Sequence, residues 1–191
     1  MQGYLKLRKQ VLDKLKGELP QFLAYHGMDH TRNVLSVCEQ YIRRENLSER
    51  DRYLLRMGAI VHDMGFLIGP KNHEAVGAEM AGVLMKNLGM KQDIIDQVKG
   101  LVMATKIPQT PLNDLQKIIC DADLDYLGRD DYPTISVKLF VELKHMNIIA
   151  TEQQWKDLQI NFLKAHRFQT DFAKKNREPK KQYWLKKLLE S

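Results

Sequence analysis

DRYLLRMGAIVHDMGFLIGP, residues 51–70, holds the pattern on which the fold turns. Leu54, Leu55, Gly58, Ala59 and His62 recur at the three- and four-residue spacing of one helical face. Ser48, followed three residues later by Asp51, supplies a start, and Gly65 with the Gly69-Pro70 pair releases the chain into a loop. Working outward, Val34, Val37, Cys38, Tyr41 and Ile42 share a face of a preceding helix that begins near Asp29 as N-cap and ends before Leu47. Downstream stripes follow the same rule: Val76, Met80, Val83, Leu84 and Leu88, then Ile94, Ile95, Val98, Leu101 and Val102, then Leu115, Ile118, Ile119 and Ala122. The last third continues with Ile135, Leu139 and Leu143, with Trp155, Leu158, Phe162 and Ala165, and with Tyr183, Trp184, Leu188 and Leu189. No run alternates apolar and polar residues long enough to read as a strand, so the fold class is all-α.

The chain has 191 residues, enough for one compact domain with a single core over 1–191. Its hydrophobic share of 43% and charged share of 28% are those of an ordinary globular protein. No stretch reaches the ~18 consecutive apolar residues of a membrane span, and MQGYLKLRKQVLDKLKG mixes charge with apolar residues where a signal peptide is uniformly apolar, so a cytoplasmic location is expected. Cys38 and Cys120 both sit in apolar periodic segments and read as small buried hydrophobes in a reducing compartment. The net charge of +6 is concentrated: residues 164–187 hold nine basic residues against Asp171 and Glu178, a local +7 that leaves −1 elsewhere. Such a run reads first as a solvated helix face and second as an attractor of phosphate ligands.

Chemistry gathers in three places. In Tyr25-His26-Gly27-Met28-Asp29-His30 two imidazoles lie four residues apart near a helix start. His62 prolongs an apolar face, and an ionised Asp63 beside it in a dry core calls for a partner such as a metal ion. In Asp121-Ala122-Asp123-Leu124-Asp125 periodicity separates the acids. Asp123, four after Ile119 and four before Leu127, points inward; Asp121 and Asp125 lie opposite, on a solvated face or bonded to a neighbouring helix. Inward histidines and carboxylates on separate helices form a mixed nitrogen and oxygen ligand set with room for water.

His30, the adjacent pair His62-Asp63, and Asp123 in its Asp-Ala-Asp setting resemble the H…HD…D signature of the HD-domain superfamily of metal-dependent phosphohydrolases. The motif core spans about residues 20–130, and the helices of about 131–190, including 162–172, look like those of uncharacterised small bacterial members. The resemblance implies a helical bundle in which His30, His62, Asp63 and Asp123 hold one divalent ion: Mn, Fe, Co, Ni, Zn or Mg. It implies catalysis by a metal-activated water, with Asp63 or Asp123 orienting it. The Tyr-His-x-x-x-His arrangement is similar to that of cyclic-nucleotide phosphodiesterases and makes His26 the candidate general acid. His73 and Glu74 fall where related HD proteins carry a second histidine close to the metal, which makes them candidates to stand behind its ligands, and Lys106 is a candidate for contacting phosphate.

Two departures qualify the resemblance. Phe66 stands where many relatives with an HD-x-Gly motif have lysine, and no His-His pair follows; Ala104-Thr105-Lys106-Ile107-Pro108 occupies that later position. Both favour a mononuclear centre over a two-metal, cyclic-dinucleotide enzyme. The expected substrate is a small phosphorylated molecule, with nucleotides foremost. Two rival readings are a regulatory module that binds a nucleotide or metal without fast turnover, and a nucleic-acid binder using Phe172, Tyr183 and Trp184 within the basic segment. The spacing of those aromatics fits a core-facing stripe better.

Overall fold

A computed structural model describes residues 2–190. Among them are ten α-helices, two short 3-10 turns and no strand. Helices α1 (Gln2–Glu18), α2 (Met28–Arg44), α3 (Glu49–Val61), α4 (His73–Asn87), α5 (Gln92–Ala104) and α6 (Asp114–Asp123) form the motif-bearing part. Helices α7 (Tyr132–His145), α8 (Glu152–Ala165), α9 (Asp171–Asn176) and α10 (Glu178–Glu190) follow, and the 3-10 turns are Met64–Leu67 and Asp125–Gly128. No helix among the described residues is long and apolar enough to cross a membrane.

Several helices start where short polar side chains can take up free backbone N–H groups. Ser48 accepts from the Asp51 N–H, Asn113 from Gln116 and Thr170 from Ala173. Thr151 and Gln154 close a reciprocal capping box at the head of α8. The N-cap of α2 is Gly27 rather than Asp29, which lies exposed in the first turn; there its carboxylate favours the positive end of the helix without a cap bond.

Helix α3 is the central pillar: Leu54, Leu55, Met57, Ala59, Ile60 and Val61 are all buried, and α1, α2, α5 and α6 pack around it. Cys38 and Cys120 are buried free thiols. Helix α4 is rotated from the stripe its larger residues suggest. Its buried face is Glu74, Gly77, Ala78, Ala81 and Met85, whereas Val83 is exposed. Close approach explains this, because a Cβ on Gly77 would stand 2.8 Å from the Gly65 backbone N and one on Gly65 only 1.9 Å from the His73 carbonyl oxygen. Small residues let the turn Met64–Leu67 press onto the head of α4, and the larger residues are displaced sideways.

Where chain length suggested one core, the buried apolar side chains form two clusters. The larger joins α1 to α6; the smaller joins Tyr25, Leu124, Tyr126, Leu127 and Tyr132 to Leu163, Phe168, Ala173 and Leu185. Asp121 and Asp125 tie the parts together and are buried, not solvated. Asp121 accepts from Gln169 N (2.7 Å), Thr170 N (2.8 Å) and Thr170 Oγ1 (2.6 Å). Asp125 receives Arg177 Nε at 2.6 Å.

The basic C-terminal segment is likewise no uniform solvated face. Lys181 is fully buried, its Nζ donating to the His166 carbonyl at 2.7 Å and lying 3.0 Å from Glu178. Trp184 donates to the Arg129 carbonyl and stacks on Tyr132, and Phe172 lies under the Arg44 guanidinium. Tyr183 and Leu189 are exposed, and on α8 the buried residues are Trp155, Gln159 and Leu163 while Ala165 faces outward.

Candidate metal centre

Three helix ends meet where the two clusters adjoin. His30 sits in the first turn of α2, His62 and Asp63 follow the last turn of α3, and Asp123 is the final residue of α6. At helix ends a side chain can turn toward a common point without interrupting backbone hydrogen bonding, and all three helices bury their apolar faces against one another. The result is a compact donor set. The Nε2 atoms of His30 and His62 lie 3.3 Å apart. Asp123 Oδ1 is 3.0 Å from His30 Nε2 and 3.6 Å from His62 Nε2, and Asp63 Oδ2 is 3.4 and 3.1 Å from the same two atoms. His30, His62 and Asp123 form a group whose ligand atoms all lie within 4.8 Å of one another.

These separations and donor types fit a divalent ion, whose nitrogen and oxygen ligands stand at ~2.0–2.2 Å in a zinc site and so close to one another. Two further observations agree. The His62 Nδ1–H donates to the Ala59 carbonyl at 2.9 Å, which leaves the Nε2 lone pair directed into the cluster. Asp63 Oδ2 is buried and receives no hydrogen bond, a costly arrangement for a carboxylate oxygen unless a cation takes its lone pairs. The buried carboxylates also draw positive charge to the cluster. Burial would lower the His62 pKa, but the adjoining Asp63 carboxylate outweighs it and raises it; Asp63 in turn is held below the usual carboxylate range by His62, His26 and His30 against its own burial.

His26 stands beside this group, not within it. Its Nδ1 is hydrogen-bonded to Glu142 Oε1, and Glu142 Oε2 accepts the backbone N–H groups of Tyr25 (2.8 Å) and His26 (3.0 Å). Burial would lower its pKa, but Glu142, Asp63 and Asp123 together raise it, while the His26 contact lowers that of Glu142 against its burial. The His26 ring stacks on Phe66 with centroids 4.1 Å apart, and Phe66 packs at the same distance against His73. Phe66 therefore orders two histidines at the rim. His73 repeats the His62 device, its Nδ1–H donating to the Pro70 carbonyl at 3.1 Å while Nε2 faces Asp63 Oδ1 at 3.8 Å and Glu74 Oε1 at 3.6 Å.

Lys106 is not brought in: it is exposed at the end of α5, and the neighbouring buried Thr105 lines the site instead. Glu142 is the residue that inspection of the sequence missed. The signal was present, since Glu142 lies seven residues after Ile135 and three after Leu139, on the apolar face of α7.

A cavity of about 220 Å³ leads away from the cluster. His26, Asp63, His73, Glu74, Thr105 and Asp123 line its head, and residues of α7 and α8 form most of its body. The HD domain family model matches residues 27–125, a span that contains His30, His62, Asp63 and Asp123 and begins one residue after His26. Neither the curated proteins nor the solved structures gave a match.

Proposed function

The chain belongs to the HD domain family, and on that premise we propose that it is a metal-dependent phosphohydrolase that cleaves a phosphate ester of a small organic molecule. The observation that carries this reading is the meeting of His30, His62, Asp63 and Asp123 around an Asp63 oxygen that is buried without a hydrogen bond. A divalent ion bound there supplies Lewis-acid neutralisation of phosphoryl oxygens and a nucleophile from water near neutral pH. The ligand set suits Mn, Fe, Co, Ni, Zn or Mg.

The remaining steps belong to the chain's own groups. Asp63 and Asp123 orient the attacking water. His26, held in place by its Nδ1 hydrogen bond to Glu142, donates a proton from Nε2 to the departing oxygen, so an alcohol leaves in place of an alkoxide. Phe66 fixes the plane of that ring, and the apolar body of the cavity excludes competing water from the leaving group.

The test is inorganic phosphate release from a panel of nucleotides and simple phosphate esters by protein loaded with each metal in turn. Release from some esters, lost in His62→Ala, supports the enzyme. Metal-loaded protein that binds a phosphate ester tightly yet releases nothing from any member would favour a regulatory module.

A further inference from the structure

The cavity beyond the metal centre has a chemistry of its own. Leu124, Leu139, Leu143, Trp155, Leu158 and Phe162 are prominent in its wall, and among the described residues no lysine or arginine lines it. Two of the polar groups in its wall are engaged with protein, Tyr132 OH donating to Gln159 Oε1 at 2.8 Å and Ser136 Oγ to the Pro133 carbonyl at 3.0 Å, while Tyr25 OH is buried without a hydrogen bond. A nucleoside would bring several donors and acceptors of its base and ribose into this space and leave most without partners, at a cost in affinity for each. A di- or triphosphate would add negative charges with no cation to meet them beyond the metal centre. The carboxylates and imidazoles of the lining, by contrast, are those of the head: His26, Asp63, His73, Glu74 and Asp123. The site is therefore amphipathic along its length, with a metal-binding end that suits a single phosphoryl group and an apolar, partly aromatic body.

Building on the hydrolase reading above, we propose that the substrate is a phosphate monoester of an apolar alcohol whose hydrocarbon or aromatic part fills the cavity between α7 and α8. In the reaction the water oxygen forms a new P–O bond and the P–O bond to the alcohol breaks. The proton on His26 passes to the leaving oxygen, and a proton lost by the water restores His26 once the products have formed. The products are the free alcohol and inorganic phosphate, with no other reactant consumed.

Binding separates this proposal from the hydrolase reading, because it can be measured with compounds that cannot be cleaved. Linear alkylphosphonates from methyl to octyl are titrated into the metal-loaded full chain by calorimetry. Each methylene buried in the cavity is expected to raise affinity about fourfold, from ~0.8 kcal/mol per buried CH₂, until the cavity is full. Leu158→Trp, which fills the body, should abolish the gain in affinity with chain length. Leu158→Ala should move the longest useful chain outward, which guards against a tryptophan variant that fails to fold. Affinity flat with chain length, or stronger for adenosine 5′-monophosphate than for octylphosphonate, overturns the proposal even if the protein hydrolyses phosphate esters. A chain-length gain with no phosphate release from the matching alkyl phosphates would retain the apolar pocket and refute the hydrolase.

Discussion

Glu142 reaches across from α7 to the segment before α2 and makes three hydrogen bonds there, two to His26 through the imidazole Nδ1 and the backbone N–H and one to the backbone N–H of Tyr25. It is fully buried and, among the described residues, has no lysine or arginine partner, so its charge is balanced chiefly by that one histidine and two backbone dipoles. The C-terminal helices therefore do more than cover the motif core: one of them sets the position of a group at the head of the cavity.

If His26 donates the leaving-group proton, His26→Ala should lower kcat about 100- to 10,000-fold, with metal content unchanged because His26 is outside the ligand cluster. Glu142→Gln keeps the shape and should give a smaller loss, about 10- to 100-fold, also with full metal content. Turnover and bound metal measured on the same preparations decide this; loss of metal in His26→Ala would make it a ligand instead.

Lys106 is exposed and does not line the cavity. Lys106→Ala should leave kcat/KM within about twofold of the parent, the range of an ordinary surface substitution. Steady-state kinetics with a good substrate provide the check.

Gly77 and Gly65 touch backbone to backbone, and this contact sets the position of His73 and Glu74. Gly77→Ala should destabilise the fold by about 3 kcal/mol, at the upper end for overpacking a tight site. Urea unfolding measures it, and an unchanged midpoint would mean that the contact is loose in solution.

Asp121 takes three hydrogen bonds from Gln169 and Thr170. Asp121→Ala strands buried backbone donors and should cost about 3 kcal/mol, with earlier proteolysis of α9 and α10 than of α3.

His166 is buried with Nε2 unpartnered, and burial together with the nearby Lys181 ammonium pushes its pKa down to about 4. The unfolded chain, with an ordinary histidine pKa of about 6.5, takes up this proton first as pH falls. Stability is thus fully present above pH about 6.5 and declines between about 6.5 and 4, by roughly 3 kcal/mol at most. The difference in unfolding free energy between the parent and His166→Gln should shrink over that window; a difference constant from pH 7 to 4 would contradict the assignment.

Much of this was legible in the sequence because helical period and burial coincide. His62 and Asp123 each prolong an apolar stripe, and both end up at the cluster. Period fails where contact distance decides, as in α4, where Gly77, Ala78 and Ala81 face inward because only small side chains fit against Gly65. It also fails where burial of a charge depends on distant partners. Lys181 reads locally as a surface charge; Asp121 and Asp125 read as solvated or bonded to a neighbouring helix, and the second holds, with all three buried by groups that the fold brings from elsewhere. Glu142 could have been read from its place on the α7 stripe; its partner His26, over a hundred residues away, could not.

The central claim is that His30, His62, Asp63 and Asp123 hold a divalent ion. Elemental analysis of the purified chain beside Asp63→Ala and His62→Ala, each verified as folded by circular dichroism, tests it most directly. The account predicts one divalent ion per chain in the parent and a loss in both variants. Folded variants that retain the parent's full metal content would contradict it.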